Sequence, residues 1–228
     1  MENYSKFDNI NAVLEKAKKS IAFIEQEYNK SLHDKNVPES LLVEIKDFLG
    51  NLKSSLDYLV HRISNSNFPI RNSEKDFDNI KIILPVDIKN VIKKWQPFNN
   101  SNEWISWFNL LNNKSKHFTL VPQIRKETPQ LNISSGQAGI SLSGGASISI
   151  GQGASISIGG ATIPGGQVIS PNSNFVHDRR LQVEKIIWVS FEFDHENLPK
   201  GISTLPFLKK CLTNIKKIIS EIEMHITE

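Results

Sequence analysis

From Thr128 to His177 the chain carries no Asp, Glu, Lys or Arg, and this uncharged run constrains the fold more than any other feature. Ten of the twelve glycines fall between Gly136 and Gly166. Aligned at Ala138, Ala146, Ala154 and Ala161, the run reads AGISLSGG, ASISIGQG, ASISIGG and ATIPGG, a repeat close to eight residues in which a short strand precedes a glycine turn. Side chains alternate faces along a strand, so Ile148 with Ile150 and Ile156 with Ile158 share one face, and Ser147, Ser149, Ser155 and Ser157 share the other. Three arrangements answer to this pattern. A flexible linker would need no isoleucine. An antiparallel meander would turn at glycines such as those of Gly151-Gln152-Gly153. A parallel roll would stack identical side chains. Both folded forms leave an isoleucine face to be covered and strand edges without gatekeeper charges. The expectation is therefore a lobe that packs on its own chain or on a second copy, and a role in assembly rather than catalysis.

The flanking sequence has a different period. Ile10, Val13, Leu14, Ala17, Ile21, Ile24 and Tyr28 recur at three and four, the spacing of one helical stripe. A second helix opens at Pro38 and carries Leu41, Ile45, Phe48, Leu49, Leu52, Leu56, Leu59 and Ile63; the short linker HDKNVPES makes the two antiparallel neighbours. The connector SNSNFPIRNS ends that helix. Shorter helical pieces are expected over Asp76–Ile83 and Val86–Trp95, and a further helix through WISWFNLLNNKSKH with Ser101 as its N-cap. FTLVPQI, PQLNISS and QVEKIIWVSFEF read as strands, the last with Ile187, Val189, Phe191 and Phe193 on one face. A closing helix from about Leu205 carries Leu208, Cys211, Leu212, Ile215, Ile218, Ile219, Ile222 and Ile226, with Lys209, Lys210, Lys216 and Lys217 outside. The fold class is α+β. A helical bundle (1–117) is followed by an inserted β lobe (118–195) with its glycine-rich octads at 138–166. The C-terminal helix (196–228) returns to the bundle.

With 228 residues and 39% apolar content the chain can bury one substantial core, or one core and a smaller lobe. A formal charge of +3 does not by itself argue for nucleic acid. One cysteine, Cys211, allows neither an internal disulfide nor a cysteine-based metal site. No secretory h-region and no run of about 18 apolar residues is present, so the expected setting is the cytoplasm, with no membrane partner.

Four constellations could carry chemistry. Asp57 and His61 lie one turn apart on a helix, as a carboxylate orienting an imidazole would. Lys114, Lys116 and His117 cluster in NNKSKH at a helix end, where a phosphate or carboxylate could sit. WQPF, Trp95 to Phe98, breaks a helix between two aromatics, as core packing does. Arg179 and Arg180 follow the uncharged run and could grip phosphate. None of the high-specificity motifs is present: no Walker loop, GxGxxG with a following helix, HExxH or GxSxG.

The ordered set NLKSSLDYLVHRI, SNFPI, ILPVDIKNVIKKWQPF and LLNNKSKHFTLV resembles a group of bacterial and phage proteins of uncharacterised function. That group shares a leucine-arginine-x-alanine-leucine-aspartate helix, an FP connector, a QPY or QPF element and an N-x-x-KHR segment. The resemblance covers about residues 49 to 121 and falls on Leu56, Asp57, Phe68, Pro69, Gln96, Pro97, Asn113, Lys116 and His117. Lys53 stands where the group often has Arg, and Phe118 where it has Arg after the His. A second likeness is to the helical HEPN ribonucleases, which use an arginine four to six residues before a histidine; neither His61 nor His117 has that arginine.

The leading expectation is a non-enzymatic binding or assembly protein. It would be a homo-oligomer formed partly through the glycine-rich lobe, with a protein partner as a further option, serving as a bacterial or phage accessory factor in a defence-related setting. No cofactor or metal is expected. A ribonuclease or other phosphate-ester enzyme would use Asp57, His61, Lys116 and His117 as catalytic residues. A nucleotide or nucleic-acid module would bind through Lys114, Lys116, Arg179 and Arg180, with Gln96 and Asn113 as further ligand-binding candidates.

Overall fold

The apolar stripes read from the sequence become the buried faces of a helical bundle. The computed structural model describes residues 8–31, 37–99, 101–117 and 120–226. Helix α1 (Asp8–Lys30) buries Ile10, Leu14, Ala17, Ile24 and Tyr28. Helix α2 (Glu39–Ser64) buries Leu41, Ile45, Phe48, Leu49, Leu52, Leu56 and Leu59, and ends where Asn65 takes a left-handed φ of 51° and donates its N–H to the His61 carbonyl. Most of the linker HDKNVPES lies outside the described residues.

Two helical expectations change. The piece expected over Asp76–Ile83 contracts to α3 (Glu74–Asp78), capped by Ser73 Oγ accepting from the Asp76 N–H. The chain then runs without regular structure to Pro85, which disfavours helix in the residue before it. Helix α4 (Val86–Lys94) follows. Helix α5 (Glu103–His117) starts two residues after Ser101, whose φ of 71° removes it from the cap position; Asn102 stands immediately before the first helical residue. Helix α6 (Thr204–Met224) buries Leu208, Cys211, Ile215, Ile218, Ile219 and Ile222. Helix α2 packs on α1, α5 and α6, and α6 also meets α1, α4 and α5.

The strands are β1 (Gln123–Ser135), β2 (Ala138–Ser143), β3 (Ile148–Ile150), β4 (Ser155–Ile158), β5 (Ala161–Pro164), β6 (Gln167–Ile169) and β7 (Gln182–Phe193). The protein is thus α+β, with six helices and seven strands among the described residues. The chain forms two compact units, residues 1–124 with 191–228, and residues 125–190. It leaves the helical unit along β1 and returns along β7.

In the second unit one sheet has the order β2-β1-β7, with Leu131 opposite Leu142 and Ile133 opposite Ile140. The octads form neither a sequential meander nor a parallel roll. An inner hairpin pairs β4 with β5, Ile156 opposite Ile163, and outside it β3 pairs antiparallel with β6, Ile148 opposite Ile169. The inner turn is Gly159-Gly160, both with positive φ, 54° and 82°, as a tight hairpin turn requires. A Cβ on Gly165 would lie 2.1 Å from the Gly151 carbonyl oxygen, so only glycine lets the two sides of the bend approach so closely. Leu131, Ile133, Leu142, Ile150, Ile158, Ile163 and Ile169 close on one another as a core of this unit's own. The isoleucine face is covered from within.

The alternation expected along β7 holds only in part. Phe191 and Phe193 are buried, and Phe191 stacks on Tyr28 at 4.9 Å, but Ile187 is 62% exposed. Its stretch of strand belongs to the β unit, and Ile187 is not among the residues packed on the isoleucine core.

Candidate functional site

The motif residues of α2 and the connector act on one another. Asp57 Oδ1 accepts the Phe68 N–H at 2.9 Å and also takes the Lys53 ammonium from the turn before it. The carboxylate therefore fixes the chain as it leaves α2, and Phe68 and Pro69 are buried behind it. Gln96 does the same from the end of α4. Fully buried, its Nε2 donates to the carbonyls of Pro69 (2.9 Å) and Ile92 (3.1 Å), and its Oε1 accepts the Arg71 N–H at 2.8 Å. Three side-chain hydrogen bonds with no water access make Gln96 a staple of the connector.

His61 is exposed, and no hydrogen bond joins it to Asp57 among the described residues. The His117 side chain lies outside the described residues. Lys114 and Lys116, two positions apart in the sequence motif, belong to different hollows. Lys114 lines one of about 300 Å³ with Asn113, Asn72 and Ser106. Lys116 lines one of about 190 Å³ where α1, α2 and α5 meet, with Lys16, Lys46, Asp47 and Asn51. Sequence reasoning missed Lys16, Lys46 and Asn51; each looks like an ordinary helix-surface residue, and only the packing of three helices gathers them.

In the β unit, Asp178 and Arg180 pair with each other. Arg180 donates from Nε at 3.1 Å and from Nη2 at 2.6 Å to the Asp178 carboxylate, and its own N–H bonds the same group. The guanidinium beside Asp178 holds its carboxyl below the usual carboxylate range. Arg179 is exposed beside them. On the outer face of the three-stranded sheet, Trp188 Nε1 donates to Gln130 Oε1 at 2.5 Å, and Asn132 Nδ2 donates to Glu184 at 3.1 Å.

Among the described residues no group of three or more His, Cys, Asp or Glu could hold a metal ion. No described helix is long and apolar enough to cross a membrane. The Cys211 thiol is buried, and burial pushes its pKa well up, the opposite of a reactive nucleophile. No family model, no curated protein and no solved structure matches this chain.

Proposed function

We propose that this is a non-enzymatic binding protein that assembles with copies of itself through the β unit. The observation that carries the reading is the state of its strand edges. Among the described residues β1 alone is paired on both sides; β2 and β7 end the three-stranded sheet, and the other four strands sit in two-stranded sheets. Open edges are templates for pairing, and charge is the usual protection. Strand β7 carries Glu184 and Lys185, whereas β2, AGISLS, carries no charge along six residues. Strands β3 to β6 are only three or four residues long. The outer edge of β2 is thus the best template, and pairing there is by backbone rather than by the isoleucine face, which is already buried.

The test is mass by light scattering over a concentration series. Native protein should be oligomeric. Lysines at the two exposed ends of β2, Ala138→Lys with Ser143→Lys, should return it to the monomer, while the same charges in exposed turns, Ala146→Lys with Gln152→Lys, should leave the mass unchanged. A native monomer at every concentration would end this reading.

A further inference from the structure

Gly50 lies in the middle of α2 without a positive φ, and a Cβ placed there would stand 4.0 Å from Cε of Lys116. The Lys116 stem from α5 lies beside Gly50, in ordinary van der Waals contact with the place a Cβ would take. It shares a hollow of about 190 Å³ with Lys16 of α1 and Lys46 of α2. Among the described residues Asp47 is the one carboxylate lining it, and three lysines and one aspartate there sum to two net positive charges. None of the three ammonium groups has a carboxylate within ion-pair distance among the described residues, although other surface lysines, such as Lys18, Lys30, Lys93 and Lys209, do.

A second, independent feature points the same way. Asn51 lines this hollow, and its Nδ2 is buried with no hydrogen-bond acceptor among the described residues. An unsatisfied buried donor costs about 1–3 kcal/mol and is rare in a folded protein, unless an acceptor absent from the bare chain completes it. Three unpaired ammonium groups and one orphaned amide donor are a set for a compact anion with several acceptor oxygens. The volume is below the roughly 300 Å³ at which pockets for drug-sized ligands begin, so a phosphate group fits and a whole nucleotide would extend outside.

The geometry points to a phosphate-binding site at the junction of α1, α2 and α5, formed by Lys16, Lys46, Lys116 and Asn51. It is separate from the self-assembly proposed above and does not depend on it. Free phosphate and a nucleotide's phosphate present the same group to the donors.

Titration of the full chain with sodium phosphate, at ionic strength held constant with sodium chloride, tests the site by calorimetry and by thermal shift. Saturable binding is expected, weakened about ten-fold for each lysine removed in Lys46→Ala and Lys116→Ala. Asn51→Leu separates binding from folding. It should leave the phosphate-free protein at least as stable as the native chain, because the buried donor it removes has no partner among the described residues, and it should abolish the phosphate-induced rise in melting temperature. An AMP arm identifies the source: tighter binding than phosphate assigns the group to a nucleotide, equal or weaker binding assigns it to free phosphate, and either upholds the site. A response that never saturates, that chloride alone reproduces, or that survives Lys46→Ala together with Lys116→Ala overturns it.

Discussion

Two single residues carry more of this structure than their size suggests. Gln96 satisfies three backbone groups of the connector and of α4 from a fully buried position. Gln96→Ala leaves those groups without partners, and the expected loss is about 3 kcal/mol or more, read as a lowered urea midpoint of the helical unit. Gly165 is the counterpart in the β unit. Gly165→Ala must move the Gly151 and Ala154 carbonyls, which stand 2.1 Å and 2.5 Å from the new Cβ, at a cost of about 1–3 kcal/mol. Gly153→Ala meets nothing within 4 Å and carries only the strain of its φ of 79°, about 1 kcal/mol. Equal effects at the two glycines would contradict the close approach at the bend. The sequence marked Gln96 and Asp57 as positions of interest. It did not disclose that their work is to hold the connector, because the partners are backbone groups up to 27 residues away, which leave no trace in residue type.

At the level of elements, the helices were legible and the strand pairing was not. The stripes of α1, α2 and α6 follow a period that only a helix satisfies, so their buried faces could be read residue by residue. The octads repeat Ser and Ile so regularly that β4 could pair with any of its neighbours without violating the pattern. The choice is made by the turn at Gly159-Gly160 and the tight approach at Gly165, which a list of ten glycines does not single out. The corner from Asp178 to Arg180 gives this unit a pH dependence. The Asp178 carboxyl is held below its ordinary value by Arg180, so its stabilising contribution is present above about pH 4 and is lost as pH falls through the depressed folded-state value. Amide resonances of the β unit followed by NMR through an acid titration should show loosening on the acid side. Asp178→Asn should remove that dependence while lowering stability at neutral pH.

For the whole molecule, two separate apolar clusters imply two separable unfolding events. One is built on α1, α2, α5 and α6 and the other on the isoleucines of β1 to β6. Hydrogen exchange should show Gly165→Ala accelerating exchange in residues 125–190 while the amides of α2 keep their native rates; a uniform rise would mean a single cooperative unit. The sequence revealed the compositional boundary but not the three-helix hollow, whose lysines come from positions 16, 46 and 116. In the helical unit, the Asp194 N–H donates to the Pro122 carbonyl at 2.9 Å, so the chain departs for the β unit and returns from it at neighbouring points. That one bond makes the 66 residues from 125 to 190 a closed loop in the accounting of chain entropy. With the β unit unfolded, holding the ends of such a loop together costs about 2–3 kcal/mol more than holding those of a four-residue turn. A chain rejoined directly across that point would gain this amount, and the bundle would then resist unfolding better without its insertion than with the insertion melted.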